Sequence, residues 1–366
     1  MAITKVGLAG LGYIGRKHLV QLRSLGLSVI TADPKLGSAD AEALGSTQHY
    51  ADFQKLLETE RPEAVVICLP TFLHRDSVIM ALEHGAHVLV EKPFALTLPD
   101  IDDMMAAAKK HGRRIMVAHV CRFMGQNIKA HELIEAGSLG CPVHFSAWRM
   151  SPTPMWSDKN WLGNASASGG TIMDFQIHDI DLACWLLGEP TEMALIKRQD
   201  TSRSGSGFFH AISSLGFRSG ASASLDTGHL MPVGYPFTSG FRLVFDRGIL
   251  QCDMVGFNLT LKQYEDGVMT DLTGWYGDHY AERNPYQDES GHFLKCLENG
   301  SDFVVTTQEA RQAVEVVLKL REHEILAAHP SSDGQPGQLL QSGTGSKCPR
   351  GEDVRHADGG SIFIKR

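Results

Sequence analysis

Positive charge is in short supply in this chain. Across 366 residues, 34 Lys and Arg stand against 42 Asp and Glu, a formal net charge of -8. Nucleic acid and anionic membranes are gripped by concentrated basic residues, so this balance argues against both as partners. Paired cysteine is also missing: the 7 cysteines are widely spaced and none stands in a C-x-x-C pair. That pattern suits neither a disulfide framework nor a structural zinc cluster, and a reducing cytoplasm is the expected setting. No apolar run nears the ~20 residues that a bilayer span requires. The N-terminus enters a strand pattern directly, without the basic and apolar regions of a secretory leader. The sequence shows no internal repeat. Its length suits two domains, at ~100–200 residues each.

The first part of the chain alternates short apolar runs with amphipathic stretches. The runs Lys5–Ala9, Ser28–Thr31, Ala64–Leu69, His87–Val90 and Ile115–Ala118 are rich in Val, Ile and Leu. They lack strict alternation, as strands buried on both faces should. Helical stretches between them, such as Ile14–Leu25, Arg75–His84 and Leu98–His111, imply a parallel sheet with crossover helices. After Phe123 the grammar changes. Longer strand-like runs at hairpin spacing, from Val143–Met150 to Leu259–Tyr264, predict a mostly antiparallel sheet, followed by helices over Pro285–Asn299 and Thr307–Ala328. The expected fold is an α/β Rossmann domain over 1–122, then an α+β domain with an open-faced, mostly antiparallel sheet over 123–329. Residues 330–366, rich in Gly, Ser, Asp and Gln, are expected to form a disordered tail.

Gly10-Leu11-Gly12-Tyr13-Ile14-Gly15 follows the first strand and opens a helix. The glycines permit a tight turn, close approach of a pyrophosphate and helix–strand packing, and the helix N-terminus offers free N–H groups. Such loops also serve purely conformational ends. Asp33, 18 residues past Gly15, stands where a carboxylate accepts from ribose hydroxyls; it is also a turn residue before Pro34. A carboxylate there repels a 2′-phosphate, so NAD is expected over NADP, with Lys35 as the counter-signal.

Several segments together resemble the Gfo/Idh/MocA family, which includes glucose–fructose oxidoreductase and inositol dehydrogenase. They are GLGYIGRKH at Gly10–His18, CLPTFLH at Cys68–His74, VLVEKPFALT at Val88–Thr97 and GGTIMDFQIHDIDLACWLLGEP at Gly169–Pro190. The resemblance implies a nicotinamide-dependent oxidoreductase of sugars and polyols, a homodimer or homotetramer assembled through the second sheet. It places Tyr13, Ile14, Pro70, Thr71, His74, Glu91 and Lys92 beside the cofactor.

Lys92 follows a parallel strand, at the sheet edge where such folds bind ligands, and its ammonium is suited to steady a reacting oxygen. A salt bridge to Glu91 is the bland alternative. Asp174 and His178 are four apart, one helical turn, so the carboxylate is expected to support the ring while the histidine acts as general base. A helix cap with a packed histidine is the alternative. Asp174, His178, Asp179 and Asp181 also crowd like metal ligands, but adjacent residues point apart on a helix and no metal is expected. His119, Arg122, Trp156, Trp161 and Tyr286 are further candidates for the substrate face. For Arg122 an interdomain ion pair is the competing role, and for each Trp a packing role. Tyr286 belongs to a Y-x-x-E pattern with Glu289. The expected activity is oxidation of a secondary hydroxyl of a sugar, sugar derivative or cyclic polyol, or the reverse reduction. A non-catalytic dinucleotide-binding regulator on the same scaffold is the rival.

Overall fold

The computed structural model describes residues 3–199, 207–256, 258–273 and 284–325. The tail expected over 330–366 lies outside the described residues.

The first domain alternates strands and helices: β1 (Lys5–Ala9), α1 (Tyr13–Ser24), β2 (Ser28–Ala32), α2 (Ser38–Ala43), β3 (Gln48–Tyr50), α3 (Phe53–Glu60), β4 (Ala64–Ile67), α4 (His74–Glu83), β5 (His87–Glu91), α5 (Leu98–His111) and β6 (Ile115–Ala118). The strands form one parallel sheet in the order β3-β2-β1-β4-β5-β6. Val6, Leu8, Val65, Ile67, Val88, Val90 and Met116 are fully buried, which is why these runs carry no polar alternation. Strand order reverses between β1 and β4, and loops diverging there leave a crevice at the carboxyl edge. Strand β3 was not foreseen. Its sequence, Gln-His-Tyr, has no apolar run, and its place rests on pairing with β2 and a Tyr50–Glu60 hydrogen bond of 2.6 Å.

After α6 (Gly125–Ala136) come β7 (Pro142–Pro152), the short α7 (Ala165–Ser168), α8 (Ile177–Leu187), β8 (Pro190–Gln199), β9 (Phe209–Phe217), β10 (Ser222–Met231), β11 (Thr238–Phe245), β12 (Gly248–Val255), β13 (Asn258–Glu265) and β14 (Val268–Asp271). Two helices, α9 (Pro285–Asn299) and α10 (Thr307–Glu322), and the short β15 (Glu324–Ile325) complete the described chain. The second sheet runs β14-β13-β12-β11-β7-β10-β9-β8-β15. Its neighbours are antiparallel except β7–β10 and β8–β15, so the sheet is mostly antiparallel as expected. One face buries Phe145, Ala147, Leu225, Phe241 and Leu243, while Ser146, Ser224 and Arg242 alternate outward.

The closing helices set the site. α9 matches its predicted span and packs on α1; Asn284 caps it through the Tyr286 N–H at 3.0 Å, with Pro285 at its first position. α10 begins with a Thr306–Glu309 capping box and ends at Glu322, short of the predicted Ala328. The chain there turns to pair β15 with β8, and Lys197 meets Glu324 at 2.9 Å.

Candidate active site

The crevice between β1 and α1 is shaped by its glycines. Gly10 has φ +90°, and a Cβ there would stand 2.6 Å from the Cys68 carbonyl oxygen. A Cβ on Gly15 would collide with the Gly10 carbonyl oxygen. Over Gly12, by contrast, the space is open. α1 begins with no side-chain cap and no acidic residue in its first turn, leaving its first N–H groups and dipole for an anion. Asp33, past the end of β2, accepts from Leu11 N–H at 2.7 Å and from Lys35 N–H at 2.9 Å. This is a cradle that fits a dinucleotide's pyrophosphate, with a carboxylate beside it for ribose hydroxyls.

The opposite lip is a turn after β4 that begins at Pro70, with Thr71 buried within it. His74 opens α4 and is buried. Its Nε2 lies 2.9 Å from the Leu69 carbonyl oxygen and its Nδ1 3.0 Å from that of Pro93. The ring braces the loops after β4 and β5 against each other, and burial lowers its pKa. Behind the cradle lies a polar cluster whose grouping no local pattern announces. His18 Nε2 and Glu91 Oε1 are 2.9 Å apart, and Cys68 Sγ lies within 4.8 Å of both groups. Glu289 of α9 is buried, and among the described residues neither carboxylate oxygen has a hydrogen-bond partner. Burial, then the neighbouring Glu91, holds it well above the usual carboxylate range. The Y-x-x-E spacing was its one trace in the sequence.

Lys92 follows β5, and the Lys92–Pro93 peptide is cis. Its Nζ donates to the Asp174 carbonyl oxygen at 2.7 Å and to Asp174 Oδ1 at 3.2 Å. Asp174 sits in a π-helical turn, Ile172–Gln176, that runs into α8. Wide turns of this kind often mark functional sites. The expected support of His178 by Asp174 is corrected here. No hydrogen bond joins the two; the Asp174 carboxylate instead accepts from Lys92 Nζ at 3.2 Å. The His178 ring instead has Nδ1 3.6 Å from Cys121 Sγ. Burial, then the positive charges of Lys92 and Arg149 and the nearby His119, lower the His178 pKa well below its ordinary value. His229 of β10, which no local pattern singled out, lies buried between Phe175 and Phe208. Burial moves its pKa down to about 4, with Asp174 and Lys92 acting on it in opposite directions.

The aspartates that crowd with His178 in sequence are separated in space, each by its own cation. Arg149 of β7 makes a bidentate pair with Asp179, at 3.1 and 2.7 Å. Arg122, in the turn after β6, pairs with Asp181 at 2.9 and 2.8 Å and donates to the Val304 carbonyl oxygen at 3.1 Å. Arg122 is 2 % exposed. The expected substrate role for it gives way to the ion pair, since its donors are directed into the protein. His119 is fully buried, 3.6 Å from Asp181, and among the described residues neither ring nitrogen has a hydrogen-bond partner.

Each aromatic candidate packs against another ring. Trp156 packs on Tyr13 of the glycine loop, with ring centroids 5.0 Å apart, and Trp161 meets Phe72 of the opposite lip edge-on at 6.3 Å. Tyr286 lies edge-on to His18 at 5.4 Å, because the first turn of α9 packs against α1.

Two family models match: the NAD-binding Rossmann fold of the oxidoreductase family over residues 4–119, and the GFO/IDH/MocA C-terminal domain over 127–251. The chain belongs to the Gfo/Idh/MocA family. It is an NAD(P)-dependent oxidoreductase of that family, acting on CH–OH groups. Among its relatives, Myo-inositol 2-dehydrogenase of Thermotoga maritima is 26% identical over 326 residues, covering 85% of this chain and 93% of that protein. The scyllo-inositol 2-dehydrogenase (NAD(+)) of Bacillus subtilis is 27% identical over 351 residues, covering 91% and 95%. The solved aldose–aldose oxidoreductase of Caulobacter crescentus superposes with a TM-score of 0.75 at 22% identity, covering 87% and 97%, a likeness of fold.

Proposed function

We propose that this protein oxidises a secondary hydroxyl of a neutral sugar or cyclic polyol to a ketone, or reduces the ketone, with NAD. The observation that carries this reading is the meeting of Lys92, Asp174 and His178 at the carboxyl edge of the parallel sheet. When bound, nicotinamide supplies the hydride acceptor or donor. His178, kept unprotonated by burial and by its cationic neighbours, takes the hydroxyl proton on its free ring nitrogen. Lys92 uses its remaining N–H to hold the oxygen as negative charge develops there, and Asp174 holds Lys92. The inositol dehydrogenases among the relatives support a polyol.

Neutrality of the substrate is supported by the arginines. A carboxylate or phosphate is best bound by a free guanidinium fork, and both Arg122 and Arg149 have theirs closed on aspartates. Preference for NAD is supported by the Asp33 carboxylate against the glycine loop. Steady-state assays over inositols, hexoses, anhydrosugars, glycosides, sugar acids and sugar phosphates test the reading. Turnover of neutral compounds is expected, lost about 100- to 10,000-fold in Lys92→Met and His178→Ala. Turnover confined to acids or phosphates would overturn it.

A further inference from the structure

The hydrogen-bond partner of the His178 ring is a thiol. Cys121 Sγ lies 3.6 Å from His178 Nδ1, and Nε2 makes no hydrogen bond among the described residues. The same sulfur is 3.9 Å from Arg149 Nη2, which Asp179 holds in place. The Cys121 backbone is fixed too: its carbonyl oxygen accepts from Asn127 Nδ2 at 2.8 Å. Cys121 is 2 % exposed, and burial pushes its thiol up to about 11. It is therefore uncharged in the neutral range.

We propose that Cys121 is a positioning residue for the base: its sulfur orients the His178 ring, Nδ1 inward and Nε2 toward the reacting hydroxyl, without favouring the protonated ring. In the neutral tautomer that leaves the Nε2 lone pair free to take a proton, Nδ1–H donates to the Cys121 sulfur, and it does so again when the ring is charged. One partner thus serves both protonation states. A carboxylate at this position would instead stabilise the imidazolium. Lys92 from the end of β5, His119 from the end of β6 and Arg149 from β7 all oppose its protonation, while Asp174 and Asp179 are held by Lys92 and Arg149. The role given to His178 rests on the dehydrogenase reading; the pairing with Cys121 does not.

The test combines kinetics and spectroscopy on Cys121→Ala, Cys121→Ser and Cys121→Asp. The Ala variant is expected to lose about 10- to 100-fold in kcat with little change in KM, since a small misplacement of a reacting group costs that much. Ser, which also accepts, is expected to recover most of the loss. Asp is expected to move the acid limb of kcat/KM upward by about 1–3 pH units. In parallel, NMR titration of labelled histidine follows the His178 ring directly, with His178→Ala as the assignment control. The same upward movement is expected there in the Asp variant. An Ala variant with wild-type kcat and pH profile overturns the proposal. So does an Asp variant whose His178 titrates as in wild type. If the ring responds as expected but no sugar or polyol turns over, the pairing stands and the dehydrogenase reading falls.

Discussion

Lys92 gives two of its hydrogen bonds to a single residue, the Asp174 carbonyl oxygen at 2.7 Å and Oδ1 at 3.2 Å. One of those acceptors is backbone, and substitution leaves it in place. Asp174→Asn should therefore weaken the hold on Lys92 rather than abolish it. A hydrogen bond to a charged group is worth ~1.5–3 kcal/mol, so a fall of about 10- to 100-fold in kcat/KM is expected, smaller than for His178→Ala. A loss in Asp174→Asn equal to that in His178→Ala would place the carboxylate in the proton transfer itself.

The pH dependence of oxidation follows from His178. Its pKa is lowered, by burial first and then by Lys92, Arg149 and His119. A general base must be unprotonated, so activity falls only when pH drops through the lowered value. The kcat/KM profile should still be near its plateau at about pH 6.5, the ordinary histidine value. An acid limb centred above pH 7 would contradict the assignment.

Glu289 gives a stability prediction of the opposite sign. Its folded pKa lies well above the usual carboxylate value, through burial and the nearby Glu91. The unfolded chain ionises it above about pH 4.5, while the folded chain keeps the proton, so stability is lost as pH rises. Glu289→Gln removes that dependence. The difference in Tm, variant minus wild type, should grow between about pH 5 and pH 8. A difference that stays flat over that range would mean Glu289 is ionised in the fold.

Much of this was legible in the sequence, for identifiable reasons. Strands β1, β4, β5 and β6 announce themselves because burial on both faces demands unbroken Val, Ile and Leu. Gly10, Gly15 and Lys92 were legible because a tight turn and a strand end leave a local mark. The partners of those residues were not. The sequence places Asp174 on a regular helix, and the π turn that carries it has no local signature. Arg122 and Arg149 find their aspartates only once β6, β7 and α8 are brought together. Cys121 and His229 belong to segments whose patterns say strand or turn and nothing about what they face.

The Trp156–Tyr13 contact predicts which ligand Trp156 serves. The indole lies on the glycine loop, with ring centroids 5.0 Å apart. An aromatic pair adds ~0.5–1.5 kcal/mol beyond its buried area, so Trp156→Ala should weaken NAD binding about two- to tenfold. The KM for the sugar should move little. Quenching of tryptophan fluorescence on titration with NADH measures the first, and a change confined to sugar KM would refute the assignment.

Specificity between cofactors rests on Asp33. In Asp33→Ser the repulsion of a 2′-phosphate is removed, and so is the brace on Leu11 N–H. The ratio of kcat/KM for NAD to that for NADP should fall at least tenfold, about 1.4 kcal/mol, with NAD turnover also reduced. An unchanged ratio would shift attention to Lys35.

The two arginine–aspartate pairs have a mechanical consequence. Arg122 belongs to the parallel-sheet domain and Arg149 to the second sheet, yet both are anchored to α8, the helix that carries His178. α8 is thus pinned in its first turns, two residues apart, to the turn after β6 and to β7 by buried ions, and removing one partner of such a pair costs ~3–5 kcal/mol. The base cannot follow one sheet away from the other without breaking a pin. Any variation in which substrate is accepted is therefore left to the rim of the crevice, where side chains can change without disturbing the alignment of proton and oxygen.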